Sequence, residues 1–448
     1  MPQPDAVPPG SRSGHPSWSR HAAIYELNLR HFTRDGTLAA ARSHLPRLAD
    51  LGVGIIWLMP IHPIGVAHRK GLLGSPYAVR DHFGVNLEFG NLAELRAFVA
   101  DAHHRGLRVL LDWVAHHTAW DHDLVTRQPE WYRRDEDGQL RRTPLMDWDD
   151  IVDLDYRQPG LWHYMVDAME YWVRQADVDG FRCDLAGLVP WEFWEHARRQ
   201  LQRVKPVFLL AEWDWTDTPA TFDAGYGWSW HSALRGIAGQ QAPVSDLARL
   251  YRDWAGALGG PVMPMTFVTN HDENAWQGSD GELFGPALPA AAALSVLGPG
   301  IPLLFNGQEA GLDRRLPFFD TDEIDWAEHP RSRLYRTLLG VKRRHRALWN
   351  PPWGAPLTAV ATDLPRQVFA FTRSGGGERV LVAVNLSPGW VRVRLTTTGR
   401  GAHNGTGPSD RWAGPGVRDA LSGRPARLPA DRSIRMPPWG FRVLVAHR

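Results

Sequence analysis

Short apolar runs alternate with longer amphipathic segments over the first three quarters of the chain. Segments such as Leu38–Leu51, Leu92–Arg105 and Leu161–Gln175 carry apolar residues at helical spacing. Eight short runs between such segments read as buried strands: Ala23–Asn28, Gly54–Leu58, Arg108–Trp113, Gly180–Cys183, Val207–Glu212, Phe222–Tyr226, Met265–Thr269 and Ile301–Phe305. This alternation predicts an α/β fold, a (β/α)8 TIM barrel over residues 21–354.

An open, doubly wound sheet is the alternative arrangement of the same elements. That fold would place a Gly-rich phosphate-binding loop directly after the first strand. The sequence at this point is Leu29–Thr33, which contains no glycine. The barrel is therefore favoured.

Three regions depart from the barrel pattern. Residues 114–159 are polar and too long for an ordinary loop, so we expect a short lid inserted after the third strand. Residues 355–448 alternate apolar and polar positions between Gly, Pro and Asp turns, which predicts a C-terminal antiparallel β-sandwich. Residues 1–20 are rich in Pro, Gly and Ser and are expected to form a mobile tail.

Composition narrows the class of protein. The 448 residues include 50 basic and 49 acidic side chains, so no excess charge indicates a nucleic-acid partner. We see no apolar run long enough to span a membrane and no apolar signal-peptide core, and the single Cys183 forms no intrachain disulfide. We therefore expect a cytoplasmic protein without membrane attachment; its oligomeric state cannot be read from the sequence.

Carboxylates stand at the ends of four predicted strands, together with His and Arg side chains. A charge at the end of a buried apolar strand is costly unless it is paired or functional. In a barrel of this type the carboxyl ends of the strands form the active-site face. The residues in question are Asp112, His116 and His117 after the third strand, Arg182 and Asp184 on the fourth, Glu212 on the fifth, and His271 and Asp272 after the seventh.

Several carboxylates around one pocket suit glycoside hydrolysis, which needs one carboxylic acid and one attacking carboxylate. Arg182 lies two residues before Asp184 and so on the same strand face, where it would keep Asp184 ionised. Glu212 follows an apolar run, and an apolar environment raises a carboxyl pKa, as a general acid requires.

Each of these residues could also have a purely structural or a different chemical role. An Asp taken alone could cap a helix, and Arg182 with Asp184 could be a structural ion pair. A metal hydrolase would use the histidines, but no zinc spacing such as H-E-x-x-H occurs. A catalytically silent carbohydrate-binding relative would usually lack one of the three carboxylates Asp184, Glu212 and Asp272.

Taken in order, these motifs resemble those of the α-amylase family of glycoside hydrolases. The family's D-x-V-x-N-H appears as Asp112–His117, its G-F-R-x-D as Gly180–Asp184, its strand-end Glu as Glu212, and its N-H-D as Asn270–Asp272. The resemblance covers residues 22–448, including the segment Gly74–Asp81 after the second strand.

The resemblance implies a role for each site residue. Asp184 would be the nucleophile, Glu212 the acid/base, and Asp272 the stabiliser of the transition state. Arg182, His117 and His271 would bind the same sugar ring, Tyr77 would stack on it, and Asp112 would support the site. Trp120 and Trp148, two of the 22 tryptophans, are predicted substrate contacts in the lid, because aromatic faces stack on sugar rings.

Three positions differ from the family pattern. His116 replaces the Asn of the first motif, and Leu188 stands where many members carry a His; both family positions help to hold a structural calcium. Because Leu has no oxygen ligand to offer, we expect no calcium there and no cofactor. Gly187 replaces a Lys that contacts substrate downstream of the cleavage point in many members.

The resemblance implies an oligosaccharide or polysaccharide substrate, with α-1,4-linked glucans or maltooligosaccharides expected. Transglycosylation, α-glucosidase activity, or trehalose or sucrose handling would use the same residues. Endo or exo action and the number of subsites stay open.

Overall fold

Eight parallel strands form a closed barrel in which each strand pairs with its neighbours in chain order. The structure is a computed structural model and describes residues 14–142, 148–396, 412 and 416–447. The barrel strands are β1 (Ile24–Leu27), β2 (Ile55–Leu58), β3 (Arg108–Val114), β4 (Gly180–Asp184), β5 (Phe208–Asp214), β6 (Ala224–Tyr226), β7 (Met263–Phe267) and β8 (Ile301–Phe305). The predicted barrel is confirmed, although β7 begins two residues before the predicted strand.

Helices surround the barrel between successive strands. Those of seven residues or more are Leu45–Leu51, Leu92–His104, Pro159–Ala176, Trp191–Val204, Trp228–Ala238, Ser245–Trp254, Leu288–Leu297 and Pro330–Arg344. The helix predicted over Leu38–Leu51 is wrong as one element, because a break at Ser43 and His44 separates Leu38–Arg42 from Leu45–Leu51. Pro46 explains the break: it has no N–H, and its ring would collide with the Arg42 carbonyl of a continuous helix.

The inner face of the barrel is apolar at its base and polar at its carboxyl end. Phe208 and Leu210 of β5 belong to the apolar cluster inside the barrel. Alternation along the strand then brings Glu212 to the same face, directly above them. The same period of two places Arg182 and Asp184 together on β4, opposite Asp112 in the register of β3. Cys183, which faces the other way, is buried in the outer core.

The segment after β3 forms the small additional layer expected there. Strands His117–Ala119 and Ile151–Asp153 pair in antiparallel fashion, and the short helix Asp123–Arg127 lies between them. Residues 143–147 of the predicted lid lie outside the described residues.

In the described part of the chain, seven antiparallel strands follow the barrel and form one sheet. In chain order they are β9 (Leu357–Thr362), β10 (Val368–Gly375), β11 (Glu378–Asn385), β12 (Val391–Thr396), β13 (Val417–Asp419), β14 (Ser433–Met436) and β15 (Phe441–His447). The sheet order is β13-β15-β11-β10-β9-β12-β14, and apolar residues of β10 and β11 share a core with those of β12 and β14. The sheet therefore curls so that one face encloses its own core, while Phe369, Phe371 and other residues of the opposite face belong to the barrel's outer core.

The predicted mobile tail is wrong for residues 14–20. Ser17–His21 forms a 3-10 turn, and His15 is buried with its Nδ1 2.7 Å from Oδ1 of Asp223. The composition of this segment suggested mobility, but contacts with residues far along the chain hold it in place. Residues 1–13 lie outside the described part of the chain.

Candidate active site

Arg182 is the centre of the site and contacts three carboxyl groups. Its Nη1 lies 2.8 Å from Oδ1 of Asp184 and 3.0 Å from Oδ1 of Asp112, and its Nη2 lies 2.7 Å from Oε1 of Glu212. The guanidinium is fully buried, and its Nε donates to the Tyr226 hydroxyl at 3.3 Å. A planar group with donors in fixed directions can hold several carboxylates at defined positions.

The two oxygens of Asp184 have different surroundings. Oδ1 accepts a hydrogen bond from Arg182, whereas Oδ2 is buried and has no hydrogen-bond partner among the described residues. One oxygen is therefore held, and the other is free to react or to bind a ligand.

Glu212 is held by Arg182 and by the backbone. Its Oε2 accepts from the N–H of Leu185 at 2.7 Å. Leu185 has a φ of +45°, a left-handed conformation that is uncommon for a residue other than glycine. This conformation at the end of β4 occurs where the backbone N–H meets the Glu212 carboxyl, next to Asp184.

Asp112 lies beneath these groups and is almost fully buried. Its Oδ2 accepts from the indole N–H of Trp57 at 3.0 Å and from the Tyr77 hydroxyl at 3.1 Å. The supporting role of Asp112 stays a prediction. Its carboxyl orients Arg182 and fixes the end of the Tyr77 side chain.

His271 connects the rim of the site to its buried floor. Its Nδ1 is hydrogen-bonded to the Glu26 carboxylate, and its Nε2 lies 2.8 Å from the Tyr77 hydroxyl and 3.3 Å from Oδ2 of Asp272. The His271 and Tyr77 rings are stacked with centroids 5.5 Å apart. Asp272, with 45% of its side chain exposed, is the most accessible of these carboxylates.

Burial sets the protonation of the site. Burial raises the pKa of Asp184 to about 6 and that of Glu212 to about 8, against the opposing charge of Arg182. Burial also raises the pKa of Asp112 to about 6. For His271 burial acts in the opposite direction, but the carboxylates of Asp272 and Glu26 outweigh it and raise the pKa to about 9. Near neutral pH the site thus holds a protonated Glu212 beside an ionised Asp184.

His117 is buried beside His116 and the backbone of Tyr77. Burial holds the pKa of His117 well below its usual value, so its ring is neutral. Its Nε2 has no hydrogen-bond partner among the described residues, which leaves one ring nitrogen available to a ligand.

The two lid tryptophans are partly buried. Trp120 donates to the Asp149 carbonyl at 2.9 Å and contacts the His68 ring at 5.0 Å. Trp148 packs against the small apolar cluster that includes Ile64 and Ala119. Both rings rest on the loop after β2 and on the lid, and their contact with substrate stays a prediction.

Sequence reasoning missed Glu26, Trp57 and Phe318. Glu26 is fully buried at the end of β1, where it interrupts the apolar run of that strand. The same signal that singled out Asp112 was therefore present, but no family motif drew attention to it. Phe318 stacks on Tyr77 with centroids 6.1 Å apart, a contact between distant residues that no local pattern predicts.

The residues at the family's calcium position do not suit that ion. The Leu188 side chain offers no oxygen, and Nδ1 of His116 lies 3.3 Å from Nδ1 of His117. Within the described residues no group of three or more His, Cys, Asp or Glu side chains is arranged to hold a metal. The glycine at position 187 has a structural reason, since a Cβ there would lie 2.2 Å from the Trp213 ring.

A parallel eight-stranded barrel with a buried Arg beside Asp and Glu carboxyls at its carboxyl end suits a glycoside hydrolase. Comparison with known proteins specifies the family. The family model described as "Alpha amylase, catalytic domain" matches residues 19–148. The chain belongs to the α-amylase family of glycoside hydrolases.

Individual relatives match either nearly all of this chain or less than half of it. The α-amylase MalA of Haloarcula japonica is 27% identical over 439 residues, which cover 93% of this chain and 63% of that protein. The α-1,4-glucan:maltose-1-phosphate maltosyltransferase of Myxococcus xanthus is 34% identical over 218 residues, 43% of this chain and 32% of that protein. This chain thus spans less than two thirds of the length of these curated relatives.

A solved structure matches over nearly its full length. The noncanonic maltogenic α-amylase AmyB from Thermotoga neapolitana superposes with a TM-score of 0.84 at 28% identity, covering 96% of this chain and 99% of that one. The resemblance therefore includes the C-terminal sheet as well as the barrel.

Proposed function

We propose that the protein is a retaining α-glycoside hydrolase that cleaves α-1,4-linked glucans or maltooligosaccharides through a covalent glycosyl-enzyme. The observation that carries the proposal is the contact of one buried guanidinium with both Asp184 and Glu212. The guanidinium holds the two carboxyls that double displacement requires, and burial raises the pKa of Glu212 above that of Asp184, which favours Glu212 as the acid.

In the first step Oδ2 of Asp184 attacks the anomeric carbon and forms an ester bond to it. The bond from that carbon to the glycosidic oxygen breaks, and Glu212 gives its proton to this oxygen as the leaving sugar departs. Asp272 and His271 bind hydroxyls of the reacting ring, and the Asp272 carboxylate stabilises the positive charge that develops on it.

In the second step the same groups act in reverse. The Glu212 carboxylate takes a proton from water, the water oxygen attacks the anomeric carbon, and the bond to Asp184 breaks. Two inversions give a product with the starting anomeric configuration.

The expected substrate class has support from the relatives. The Haloarcula japonica protein is an α-amylase and the Thermotoga neapolitana protein a maltogenic α-amylase, and both match over more than nine tenths of this chain.

Transglycosylation is the second candidate. The Myxococcus xanthus relative is a maltosyltransferase. Its 34% identity over the part it shares is higher than the 27% identity of the Haloarcula japonica α-amylase. A sugar hydroxyl would then replace water in the second step, with no change in the roles of Asp184 and Glu212.

A product profile tests both candidates. The wild type would be incubated with starch, maltotriose and pullulan, and products would be followed by chromatography and the first-formed anomer by NMR. We expect shorter α-anomeric products for hydrolysis and longer oligosaccharides as well for transfer. The Asp184→Ala variant should lose turnover, whereas Asp179→Asn, changed at the opposite end of β4, should retain it. Equal behaviour of wild type and Asp184→Ala on every glycan would contradict the proposal.

No helix among the described residues is both long and apolar enough to cross a bilayer. The cytoplasmic location expected from the sequence would be tested separately, by fractionating cells that express the protein.

A further inference from the structure

A row of aromatic rings leads from the site to the surface. Tyr77, which contacts Asp112 and His271, is only 9% exposed. The Phe318 ring stacks on it at 6.1 Å and an interplanar angle of 18°. The Trp276 ring follows at 5.2 Å from Phe318 and is 53% exposed. These three rings come from the segments that follow β2, β7 and β8.

The exposed Trp276 sits on a fixed piece of backbone. Glu273–Gln277 is a single π-helical turn, closed by the N–H of Gly278 donating to the Glu273 carbonyl at 2.9 Å. Asn274 on this turn is buried, accepts from the N–H of Leu316 at 2.8 Å and donates to the Arg314 carbonyl at 3.1 Å. These bonds tie the turn that bears Trp276 to the segment that bears Phe318. Turns of this kind are rare and occur frequently at functional sites.

Further apolar surface surrounds the same place. Phe319 lies 6.0 Å from Trp276, and its carbonyl accepts from the N–H of Leu73. The neighbouring Leu72 is 78% exposed. Large apolar side chains gathered at one exposed place mark a binding surface more often than isolated ones do.

We propose that Trp276 and Phe318 form a stacking subsite for a pyranose ring of a glucan chain, next to the ring held by the carboxylates. The inference rests on the proposed function and adds residues outside the family motifs. A sugar ring presents an apolar C–H face to an aromatic ring and hydroxyls at its edge. Nε2 of His271 lies 3.3 Å from Oδ2 of the partly exposed Asp272, and the His271 ring is 6.2 Å from the Phe318 ring, so a hydroxyl acceptor lies near the row of aromatic rings. This pairing suits a sugar better than a purely apolar partner.

Kinetics on substrates of two lengths test the subsite. We would measure kcat/KM for maltoheptaose and for an aryl α-glucoside, whose single sugar occupies only the ring position at the carboxylates. For Trp276→Ala we expect kcat/KM for maltoheptaose, divided by kcat/KM for the aryl α-glucoside, to fall about 3- to 10-fold, as the loss of one stacking contact implies. Trp276→Phe, which keeps a smaller ring, should lie between. Trp390→Ala is the matched control, because that ring is 63% exposed but lies beside Arg435 in the C-terminal sheet.

An unchanged ratio in Trp276→Ala would overturn the proposal, as would equal losses on both substrates, which would indicate a disturbed Asp272. A changed elution volume in gel filtration, together with an unchanged ratio, would instead identify the patch as a contact between copies of the chain.

Calorimetric titration with maltoheptaose separates this inference from the proposed function. If the wild type binds maltoheptaose without turning it over, the proposed function fails, and weaker binding by Trp276→Ala would still support the subsite. Equal binding of maltoheptaose by the wild type and by Trp276→Ala, or no binding by the wild type, would overturn the proposed subsite.

Discussion

Nη2 of Arg182 lies 2.7 Å from Oε1 of Glu212, while Nη1 of the same guanidinium contacts Asp184 and Asp112. One positive charge therefore faces three buried carboxyls. Because these cannot all ionise cheaply in a buried site, the carboxyl with the highest pKa keeps its proton. That carboxyl is Glu212, so the arrangement itself separates the acid from the nucleophile.

Replacing Arg182 with Lys tests this arrangement. A Lys ammonium is a single point charge and cannot contact three carboxyls in fixed directions. We expect kcat/KM to fall by at least about 100-fold and, because buried carboxylates lose partners, unfolding free energy to fall by up to about 3–5 kcal/mol. Steady-state kinetics and urea unfolding measure the two effects.

Arg198→Lys is the control for this substitution. Arg198 pairs with buried Asp223, which precedes β6 at the other end of the barrel. Arg198→Lys should lower the free energy of unfolding with little effect on kcat/KM. Full activity in Arg182→Lys would show that the shared guanidinium is not required.

The pH dependence of kcat/KM should be bell-shaped. Asp184 has a pKa of about 6, so activity falls below that pH as the nucleophile becomes protonated. Glu212 has a pKa of about 8, so activity falls above that pH as the acid loses its proton. An aryl glycoside with a good leaving group needs no acid in the first step. With this aryl glycoside as substrate, the pH profile of Glu212→Gln in single-turnover experiments should lack the alkaline limb. An alkaline limb at the wild-type position would contradict the assignment of Glu212 as the acid.

Glu26 should matter through His271. Its carboxylate is one of the two that raise the pKa of His271 to about 9. Glu26→Gln keeps a hydrogen-bonding oxygen but removes the charge, so we expect the pKa of His271 to fall and kcat/KM to drop about 10-fold. NMR titration of the His271 ring and steady-state kinetics are the measurements.

A second buried Glu–His pair provides the comparison. Glu378 of β11 lies 2.8 Å from Nδ1 of His345, far along the chain from the site residues. Glu378→Gln should leave kcat/KM near the wild-type value. If both variants lost activity equally, the effect of Glu26 would be one of stability.

Removal of calcium by a chelator should leave the stability of the fold unchanged, because the residues at the family's calcium position cannot bind the ion. Leu188 and His116 supply no suitable oxygen ligands there. We therefore expect the melting temperature to stay within about 1 °C after treatment with EDTA, as followed by circular dichroism. A fall of several degrees, reversed by added calcium, would contradict this expectation.

The barrel and the cluster of carboxylates could be predicted because both follow from local patterns. The period of two in β4 places Arg182 beside Asp184, and parallel strands bring their carboxyl ends to one face. Contacts between distant segments could not be read in this way. The pairing of His15 with Asp223 and the contact of the Trp276 ring with the Phe318 ring depend on the finished fold. Composition suggested a mobile tail at the first of these and gave no reason to select the second.

Trapping the glycosyl-enzyme tests the central claim most directly. A fluorinated α-glucosyl fluoride slows both steps but keeps a good leaving group, so the covalent intermediate should accumulate. Mass spectrometry of the digested protein should then find one added fluoroglucosyl group on the peptide containing Asp184, at the Asp184 side chain. A label on a different carboxylate, or no label while the reagent is consumed, would contradict the account.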